Sequence, residues 1–238
     1  MIEKIGTDEA KYLSKPCDEM IEYLERMLKD APSPLAVAEV GVGYGATSVE
    51  IVKRLRKEDT FYFYSFQEEV DELFDDLKKQ EYCKCGLVPI GNTHTLYDSF
   101  CWNLGKQVIE LDGKDGLFDL VYLDGAHSFL VSGLACALLK QLIRKNGYLI
   151  FDDLHWSYGN SPDRNPRVEP EILEQYTQEQ VDTCQIQMVV DVFMKNDENW
   201  VCERTTKRRA VYRNQPKHNS FLTKLFTKPV RTGKSRGF

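Results

Sequence analysis

The sequence of 238 residues predicts an α/β domain: a mostly parallel sheet with helices on both faces and a C-terminal antiparallel hairpin. Short, almost wholly apolar runs alternate with amphipathic helical patterns from residue 35 to residue 152. This is the pattern of parallel strands that are buried on both faces. The runs WVCERT and RRAVYR follow near the end, joined by a short basic turn, and a connection this short predicts an antiparallel pair.

The first 33 residues predict a helical cap on this domain. Pro16 suits a first helical turn, and Asp18 and Glu19 complement the positive end of the helix dipole. Apolar residues then recur on one helical face as far as Leu28, and the segment APSP at 31–34 ends the helix.

The alternation predicts five strands and four helices. The strands are expected at 35–40, 61–66, 87–90, 118–124 and 148–152. The helices are expected at 47–55, 68–79, 96–108 and 129–144. The last of these helices is expected to end at Arg144 and Lys145, because basic residues favour a final helical turn and Gly147 follows.

After Asp153 a long polar loop, HWSYGNSPDRNPRVEP, precedes a helix predicted near 175–192 and the closing hairpin. A loop of this length inside a compact domain usually has a function. Residues 1–213 are therefore expected to form a single domain, followed by a basic C-terminal tail at 214–238.

The charge distribution limits the partners. The net charge is -6, yet eleven of the 31 basic residues follow Glu203, where no acid remains, so the rest of the chain holds 20 bases against all 37 acids. An acidic body repels a polyanion, and nucleic acid is therefore not an expected partner. The basic tail is expected to be a solvated segment, with recruitment of an acidic partner as the alternative.

The composition also predicts a compartment. No run approaches the roughly 18 unbroken apolar residues of a membrane helix, and the N-terminal residues mix acids and bases, unlike a signal peptide. The seven cysteines, an odd number in a chain long enough for a large core, are expected to be reduced thiols. A cytoplasmic protein is expected, and a homo-oligomer is left open.

The clearest motif is AEVGVGYGATS at 38–48, which follows the first strand and opens a helix. Gly41, Gly43 and Gly45 allow a sharp turn that brings backbone N–H groups against a ligand. The helix N-terminus behind them favours a carboxylate or a phosphate. The same glycines fit a dinucleotide-binding turn. Glu39, two residues before the first glycine, is not part of that fingerprint and favours a cofactor other than a dinucleotide.

Three carboxylates follow neighbouring strands of the predicted sheet. Asp124 ends the fourth strand, and Asp152 and Asp153 end the fifth. Because these strand ends share one edge, the three groups would repel one another unless a cation lay between them. Oxygen ligands suit Mg²⁺ or Mn²⁺ better than zinc. The structural alternative is that Asp124 orders its loop and that one residue of the pair caps the next turn.

The segment EVGVGYG resembles the first motif of the class I S-adenosylmethionine-dependent methyltransferases, E/D-x-G-x-G-x-G. DLVYLDGAHSF at 119–129 and NGYLIFDDLHWS at 146–157 are similar to the O-methyltransferase group that includes the macrocin-type sugar methyltransferases. The resemblance covers residues 35–213. It implies a Rossmann-like class I methyltransferase fold and methyl transfer from S-adenosylmethionine to an oxygen of a small, hydroxyl-rich acceptor, such as a sugar or a glycosylated natural product.

The resemblance also implies which residues bind the cofactor. The matching residues are Glu39, Gly41, Gly43 and Tyr44 for the methionine part, Ser65 and Gln67 for the ribose, Asn92 and Thr93 for the adenine, and Asp124 at the end of the fourth strand. The family places an acid at the end of the second strand to bind the ribose, and Ser65 stands there in this chain. A hydroxyl binds a ribose less strongly than a carboxylate does.

In sugar methyltransferases of this group, aspartates that match the three carboxylates bind Mg²⁺, which acidifies the acceptor hydroxyl. His127 is the expected base, because a neutral imidazole accepts a proton at physiological pH, and His155 is the second candidate. Asp152 is assigned to the same catalytic centre. Relatives often carry an acid where this chain has Ala126, and a structural role for either histidine stays open.

Other functions stay open at this point. The glycine turn also fits a nicotinamide-dependent oxidoreductase, and the cephalosporin hydroxylase group is similar in scaffold. A third alternative is a non-catalytic binding protein of the methyltransferase fold, whose basic tail recruits a partner. In the long loop, Trp156 and Tyr158 are expected to stack on a sugar ring or cover the cofactor, with ordinary loop packing as the alternative.

Overall fold

A computed structural model describes residues 1–8, 15–30 and 33–216. The described chain forms one seven-stranded sheet in the order β3-β2-β1-β4-β5-β7-β6. The strands are β1 Ala36–Val40, β2 Thr60–Phe66, β3 Gly86–Asn92, β4 Phe118–Leu123, β5 Ile143–Phe151, β6 Trp200–Thr205 and β7 Ala210–Asn214. The helices are α1 Asp18–Asp30, α2 Ala46–Arg54, α3 Gln67–Lys78, α4 Phe100–Leu111, α5 Phe129–Leu142, α6 Ile172–Gln175, α7 Gln178–Asp182 and α8 Gln185–Phe193.

The pairing of the strands confirms the predicted fold class. Strands β1 to β5 are parallel, and β7 pairs antiparallel with β5 and with β6. From β1 the chain first adds β2 and β3 on one side and then returns to add β4 on the other. The carboxyl ends of β1 and β4 therefore form the switch point of the topology, which is where open α/β sheets bind ligands.

Two apolar cores cover the two faces of the sheet. On β1, Ala36, Ala38 and Val40 belong to the core that includes α4, α5 and α8, whereas Val37 belongs to the core beneath α1, α2 and α3. Because side chains of successive residues point to opposite faces and both faces are covered, successive residues of one strand have to be apolar. This is why the strands appear in the sequence as nearly continuous apolar runs.

The fifth strand begins earlier than the sequence predicts. Helix α5 ends at Leu142 instead of Arg144, and Ile143 already pairs with Phe118 of β4. The Arg144 guanidinium lies 2.7 Å from a carboxylate oxygen of Asp119. The basic residues that resemble a final helical turn therefore belong to β5, where a partner distant in sequence binds one of them.

The helix predicted near 175–192 is three separate helices. Thr177 begins α7 with a capping box, in which its side chain and that of Gln180 bond to each other's backbone N–H groups. Cys184 precedes α8 in a non-helical conformation. The helix predicted at 96–108 begins later, at Phe100, because residues 93–98 form a turn in which Asp98 accepts hydrogen bonds from Thr93.

The structure also bears on the predictions about membrane helices, cysteines and the two ends of the chain. Within the described residues, no helix combines the length and the apolar character needed to cross a bilayer. All seven cysteines lie in the described part of the chain, and none of them forms a disulfide. Residues 217–238 of the predicted tail lie outside the described residues, as do 9–14 and 31–32 of the predicted cap.

The ends of β1 and β4 approach each other at Gly41, which has a φ of +88°. A Cβ on Gly41 would overlap the carbonyl oxygen of Asp124 and would lie 2.8 Å from the Cα of Gly125. Gly43 also has a positive φ, of +50°, but a Cβ there would meet nothing within 4 Å. A comparison of alanine substitutions at the two glycines therefore distinguishes the free-energy cost of the left-handed backbone conformation from the cost of a steric clash.

We expect Gly41→Ala to lower the free energy of unfolding more than Gly43→Ala does. The left-handed conformation costs roughly 1–2 kcal/mol in either variant, and the clash at Gly41 adds about 1–3 kcal/mol. Chemical denaturation of both variants measures the difference. Equal stabilities would show that the two strand ends are not in the close contact described here.

Candidate functional site

A cavity of about 690 Å³ opens at the carboxyl ends of the parallel strands, at the switch point between β1 and β4. Its first end lies along β1, β2 and β3, and is lined by Gly41, Val42, Gly43, Tyr64, Ser65, Phe66, Glu69, Asn92, His94, Thr95, Leu96 and Phe100. Its second end is lined by Asp124, Gly125, Ala126, His127, Ser128, Asp153, Trp156, Tyr158, Arg164, Gln175, Tyr176 and Arg208. The cavity thus combines a glycine turn with a group of acids.

The glycine turn supplies backbone to the first end of the cavity. Gly41 and Gly43 line it, and the turn leads directly into α2 at Ala46. Tyr44, predicted at the same loop, is not part of the lining, and the Lys4 amino group lies 5.7 Å from the centre of its ring. Since a Cβ at Gly43 would meet no protein atom within 4 Å, a ligand can approach the backbone closely there.

Glu39 lies behind the turn. Its side chain is buried and accepts a hydrogen bond from the Ser48 hydroxyl, which connects β1 with α2. Burial raises the pKa of Glu39 to about 8, and the Ser48 hydrogen bond lowers it only in part. Of the four residues predicted for the methionine part of the cofactor, the two glycines line the cavity, and Glu39 and Tyr44 do not.

Beyond the end of β2, the carboxylate of Glu69 is a site residue that the sequence motif did not indicate. The Ser65 hydroxyl donates to the carboxylate of Glu69, one turn into α3, and both residues line the cavity. Gln67 does not line it, because its exposed side chain donates to Asp71 at 2.9 Å. The spacing of four residues between Ser65 and Glu69, across the start of a helix, is the signal that could have identified this pair.

At the end of β3, a buried amide faces the cavity. The Nδ2 atom of Asn92 donates to the carbonyl oxygen of His94 at 3.2 Å, whereas its Oδ1 atom is buried and has no hydrogen-bond partner among the described residues. Buried acceptors without a partner are rare in proteins, and one in a cavity wall is available to a donor from a ligand or a water molecule. Thr93, also predicted here, binds Asp98 instead and does not line the cavity.

At the second end of the cavity, three side chains could hold a cation together. One ligand atom each of Asp124, His127 and Asp153 lies within 4.8 Å of the others. Nε2 of His127 is 4.0 Å from Asp124 Oδ1, and its Nδ1 is 3.8 Å from Asp153 Oδ2. Ala126, His127 and Asp153 all have positive φ angles, a conformation that is uncommon outside glycine and clusters at functional sites.

Asp152, predicted as a catalytic and metal-binding residue, is fully buried between two arginines. Its Oδ1 atom lies 2.7 Å from Nε of Arg208 and 3.2 Å from Nε of Arg209. Its other oxygen accepts a hydrogen bond from the Tyr122 hydroxyl. The predicted trio of aspartates is therefore not the group that the fold assembles around one point, because His127 occupies the third position.

Burial makes the charge of Asp124 costly. Burial is the main cause that raises its pKa far above the ordinary value, and repulsion by Asp152 and Asp153 raises it further. The Tyr122 oxygen lies 3.0 Å from Asp124 Oδ2 and also binds Asp152. A phenol has a single proton, so both hydrogen bonds form only when one carboxyl group is protonated. A bound cation would relieve the same repulsion.

Aromatic rings form the wall above these acids. The ring centre of Trp156 is 5.3 Å from that of His127 and 4.9 Å from that of Tyr158, and Tyr158 lies 4.8 Å from Tyr176. Burial lowers the pKa of His127, although the neighbouring aspartates raise it in part, so the neutral imidazole is favoured. His155, the second predicted base, is exposed and does not line the cavity.

Solved structures share this arrangement of strands and helices. A protein from Corynebacterium glutamicum aligns over 92% of this chain and 91% of its own, with 14% identity and a TM-score of 0.56. A candidate caffeoyl-CoA O-methyltransferase from Staphylococcus aureus aligns over 90% and 91%, with 11% identity and a TM-score of 0.54. The fold is that of the class I methyltransferases.

A candidate O-methyltransferase from Klebsiella pneumoniae has the same fold, with 13% identity, a TM-score of 0.50 and coverage of 84% of this chain and 81% of its own. No family model matches the sequence, and no curated protein matches it either. In this methyltransferase fold, the cavity described above lies at the carboxyl ends of β1 and β4.

The burial of Glu39 predicts a measurable pH dependence of stability. Its pKa in the folded protein, about 8, exceeds the ordinary value of 4.5. Between these two values the folded state holds a proton that the unfolded state has lost, so the stability contributed by Glu39 falls as the pH rises.

We expect Glu39→Gln, which keeps an acceptor for Ser48, to gain stability relative to the natural protein across this range. The gain should approach about 1.4 kcal/mol per pH unit and should level off above pH 8. Denaturant unfolding at several pH values between 5 and 9 measures it. A constant difference across the range would contradict a buried, protonated Glu39.

Proposed function

We propose that this chain is an S-adenosylmethionine-dependent O-methyltransferase that acts on a small, hydroxyl-bearing acceptor with the help of a divalent cation. The observation that carries the proposal is that one cavity joins two sets of groups. One set, on β1 to β3, suits the cofactor, and the other, at the ends of β4 and β5, suits a cation and an acceptor.

The first set matches the parts of S-adenosylmethionine in order along the cavity. Backbone at Gly41 and Gly43 suits the methionine part, and the carboxylate of Glu69, supported by Ser65, suits the two ribose hydroxyls. The unpaired Oδ1 atom of Asn92 suits the adenine amino group. When bound, S-adenosylmethionine supplies a methyl group on an activated sulfonium, and its transfer to an acceptor oxygen yields S-adenosylhomocysteine and releases the hydroxyl proton.

The second set fits a divalent cation. Two carboxylates and an imidazole offer two oxygen ligands and one nitrogen ligand within one small space. Carboxylates suit Mg²⁺ and Mn²⁺, and the imidazole shifts the preference toward Mn²⁺. When bound, such a cation lowers the pKa of an acceptor hydroxyl. In this proposal His127 takes the third position, which the sequence analysis gave to Asp152.

The chain's own residues orient these groups. Arg208 lies 3.0 Å from Oδ1 of Asp153, which leaves Oδ2 directed toward His127. Arg208 and Arg209 compensate part of the charge of Asp152, which reduces the cost of burying this carboxylate next to the cation site. Trp156 and Tyr158 cover the acceptor end, where their faces can stack on a ring and exclude water.

The proposed acceptor is a sugar or another small ring with hydroxyl groups. The aromatic wall supports this proposal, because aromatic faces pack against the apolar face of a ring while its hydroxyls remain free for polar partners. His127 lies beside this wall, with its ring centre 5.3 Å from that of Trp156. The neutral imidazole, which burial favours, can accept a proton or bind a cation.

The role of Glu69 can be tested by cofactor affinity. Glu69→Gln removes the charge that we assign to the ribose, and the affinity for S-adenosylhomocysteine is expected to fall at least about tenfold, since hydrogen bonds to charged groups contribute about 1.5–3 kcal/mol. Glu68→Gln is the matched control, because the neighbouring Glu68 is exposed and does not line the cavity. Calorimetric titration that gives equal affinities for the two variants would contradict this assignment.

The cation site can be tested without turnover. Asp153→Asn and His127→Gln are each expected to weaken Mn²⁺ binding about tenfold or more, because each removes one of three ligands. Asp75→Asn, at an exposed position of α3, is expected to leave it unchanged. Electron paramagnetic resonance of free Mn²⁺ measures the affinity, and a natural protein that binds no Mn²⁺ would refute the cation in this proposal.

A further inference from the structure

Two arginines line the end of the cavity where the acceptor is proposed to bind, and a neutral acceptor would have no charge for them to pair with. Arg208 lies in the turn between β6 and β7, and Arg164 lies in the long loop between β5 and α6, yet both line the same cavity. Two guanidinium groups from separate parts of the chain therefore lie at the place where the acceptor would bind.

Arg208 is held in a fixed orientation. Its Nε atom lies 2.7 Å from Asp152 Oδ1 and 3.0 Å from Asp153 Oδ1, and its backbone carbonyl accepts a hydrogen bond from the Leu154 N–H at 2.8 Å. Both ion pairs use Nε, and Arg208 lines the cavity, so its two terminal nitrogen atoms are available as donors to a ligand. The side chain is half exposed, so that a ligand can reach it.

Arg164 is presented by an ordered part of the long loop. Ser161 is buried, and its hydroxyl donates to Asp163 at 2.8 Å and accepts from the backbone N–H of Arg164 at 3.1 Å. The Arg164 guanidinium lies 5.9 Å from the ring centre of Tyr158, and its Nε is 3.4 Å from Glu169. This exposed ion pair is weak enough to be exchanged for a better anionic partner.

The guanidinium groups and the aromatic wall together suit one class of ligand. A guanidinium donates two parallel hydrogen bonds to the oxygens of a carboxylate or a phosphate, and a neutral sugar offers no such partner. The rings of Trp156, Tyr158 and Tyr176 suit a flat or ring-shaped body beside that anion. Asp124 and Asp153 would repel an anion, but a bound divalent cation compensates their charges.

We infer that the methyl acceptor is an anion: a hydroxyl-bearing ring that carries a carboxylate or a phosphate, which Arg164 and Arg208 bind against the aromatic wall. The inference rests on the proposed function and narrows its acceptor from hydroxyl-bearing rings in general to acidic ones, such as uronic acids, sugar phosphates or hydroxylated aromatic acids. The carboxylate or phosphate gives specificity, while the hydroxyl faces the Asp124, His127 and Asp153 group.

Matched ligands test the inference. Ligand-observed NMR titrations, in the presence of S-adenosylhomocysteine and diamagnetic Mg²⁺, compare glucose with glucuronate and glucose 6-phosphate, and catechol with 3,4-dihydroxybenzoate. We expect at least one anionic ligand to bind about tenfold more tightly than its neutral counterpart. Glucuronate and glucose 6-phosphate distinguish a carboxylate from a phosphate on the same ring.

Variants of the two arginines identify the cause of the preference. Arg164→Gln is expected to remove most of the preference for the anion and to leave the neutral counterpart unaffected, whereas Arg208→Lys should weaken it while keeping the charge. Arg167→Gln is the matched control, because Arg167 is an exposed arginine of the same loop that does not line this cavity. Thermal unfolding of each variant checks that it is folded.

The outcomes separate this inference from the proposed function. Equal binding of neutral and anionic ligands, including binding of none of them, would overturn the inference, as would a preference that persists in Arg164→Gln. If S-adenosylhomocysteine binds under the same conditions, the proposed function stands and only the anionic acceptor is refuted. If S-adenosylhomocysteine does not bind either, the proposed function itself fails.

Discussion

The close approach of β1 and β4 is the constraint on which the rest of the site depends. Gly41 and Asp124 follow adjacent strands, and the backbones there are so close that a Cβ on Gly41 would overlap the Asp124 carbonyl. The Asp124 N–H in turn donates to the carbonyl of Val40 at 2.8 Å. The glycine turn and the first acid are thereby fixed to each other, and the proposed methyl donor and acceptor share one cavity.

The C-terminal hairpin completes the site through charge. Asp152 directly follows β5 in a buried position, which is costly for an ion unless partners compensate it. The partners are Arg208 and Arg209, from the turn of the hairpin, and Arg209 also reaches Glu19 at the start of α1 at 2.7 Å. The last two strands therefore do more than extend the sheet, because their turn orients Asp153 and contributes Arg208 to the cavity.

The fold could be predicted from the sequence because its signals are local. Apolar runs, helical periodicity and the glycine turn each depend on neighbouring residues, and they gave the correct sheet and the closing hairpin. The errors arose where distant residues decide the outcome. Arg144 belongs to a strand because Asp119 binds it, and Asp152 lies between arginines more than fifty residues away in the sequence.

The candidate site was predictable in part for the same reason. The positions of Gly41, Asn92 and Asp124 follow from the ends of parallel strands, and all three line the cavity. The methyltransferase motif could not identify Glu69. That motif places the ribose-binding acid at the end of the second strand, whereas Glu69 lies in the first turn of α3. Thr93 stood at a matching position, but Asp98 binds its hydroxyl, a contact that spacing alone does not reveal.

Calorimetric titration of the natural protein with S-adenosylhomocysteine, with and without Mn²⁺, tests the central claim most directly. We expect one site per chain with a dissociation constant in the micromolar range, which corresponds to a binding free energy of about -8 kcal/mol. Titration with NAD under the same conditions is the comparison, because the glycine turn alone would fit either ligand. Binding of NAD without binding of S-adenosylhomocysteine would refute the proposed methyltransferase and assign the cavity to a dinucleotide.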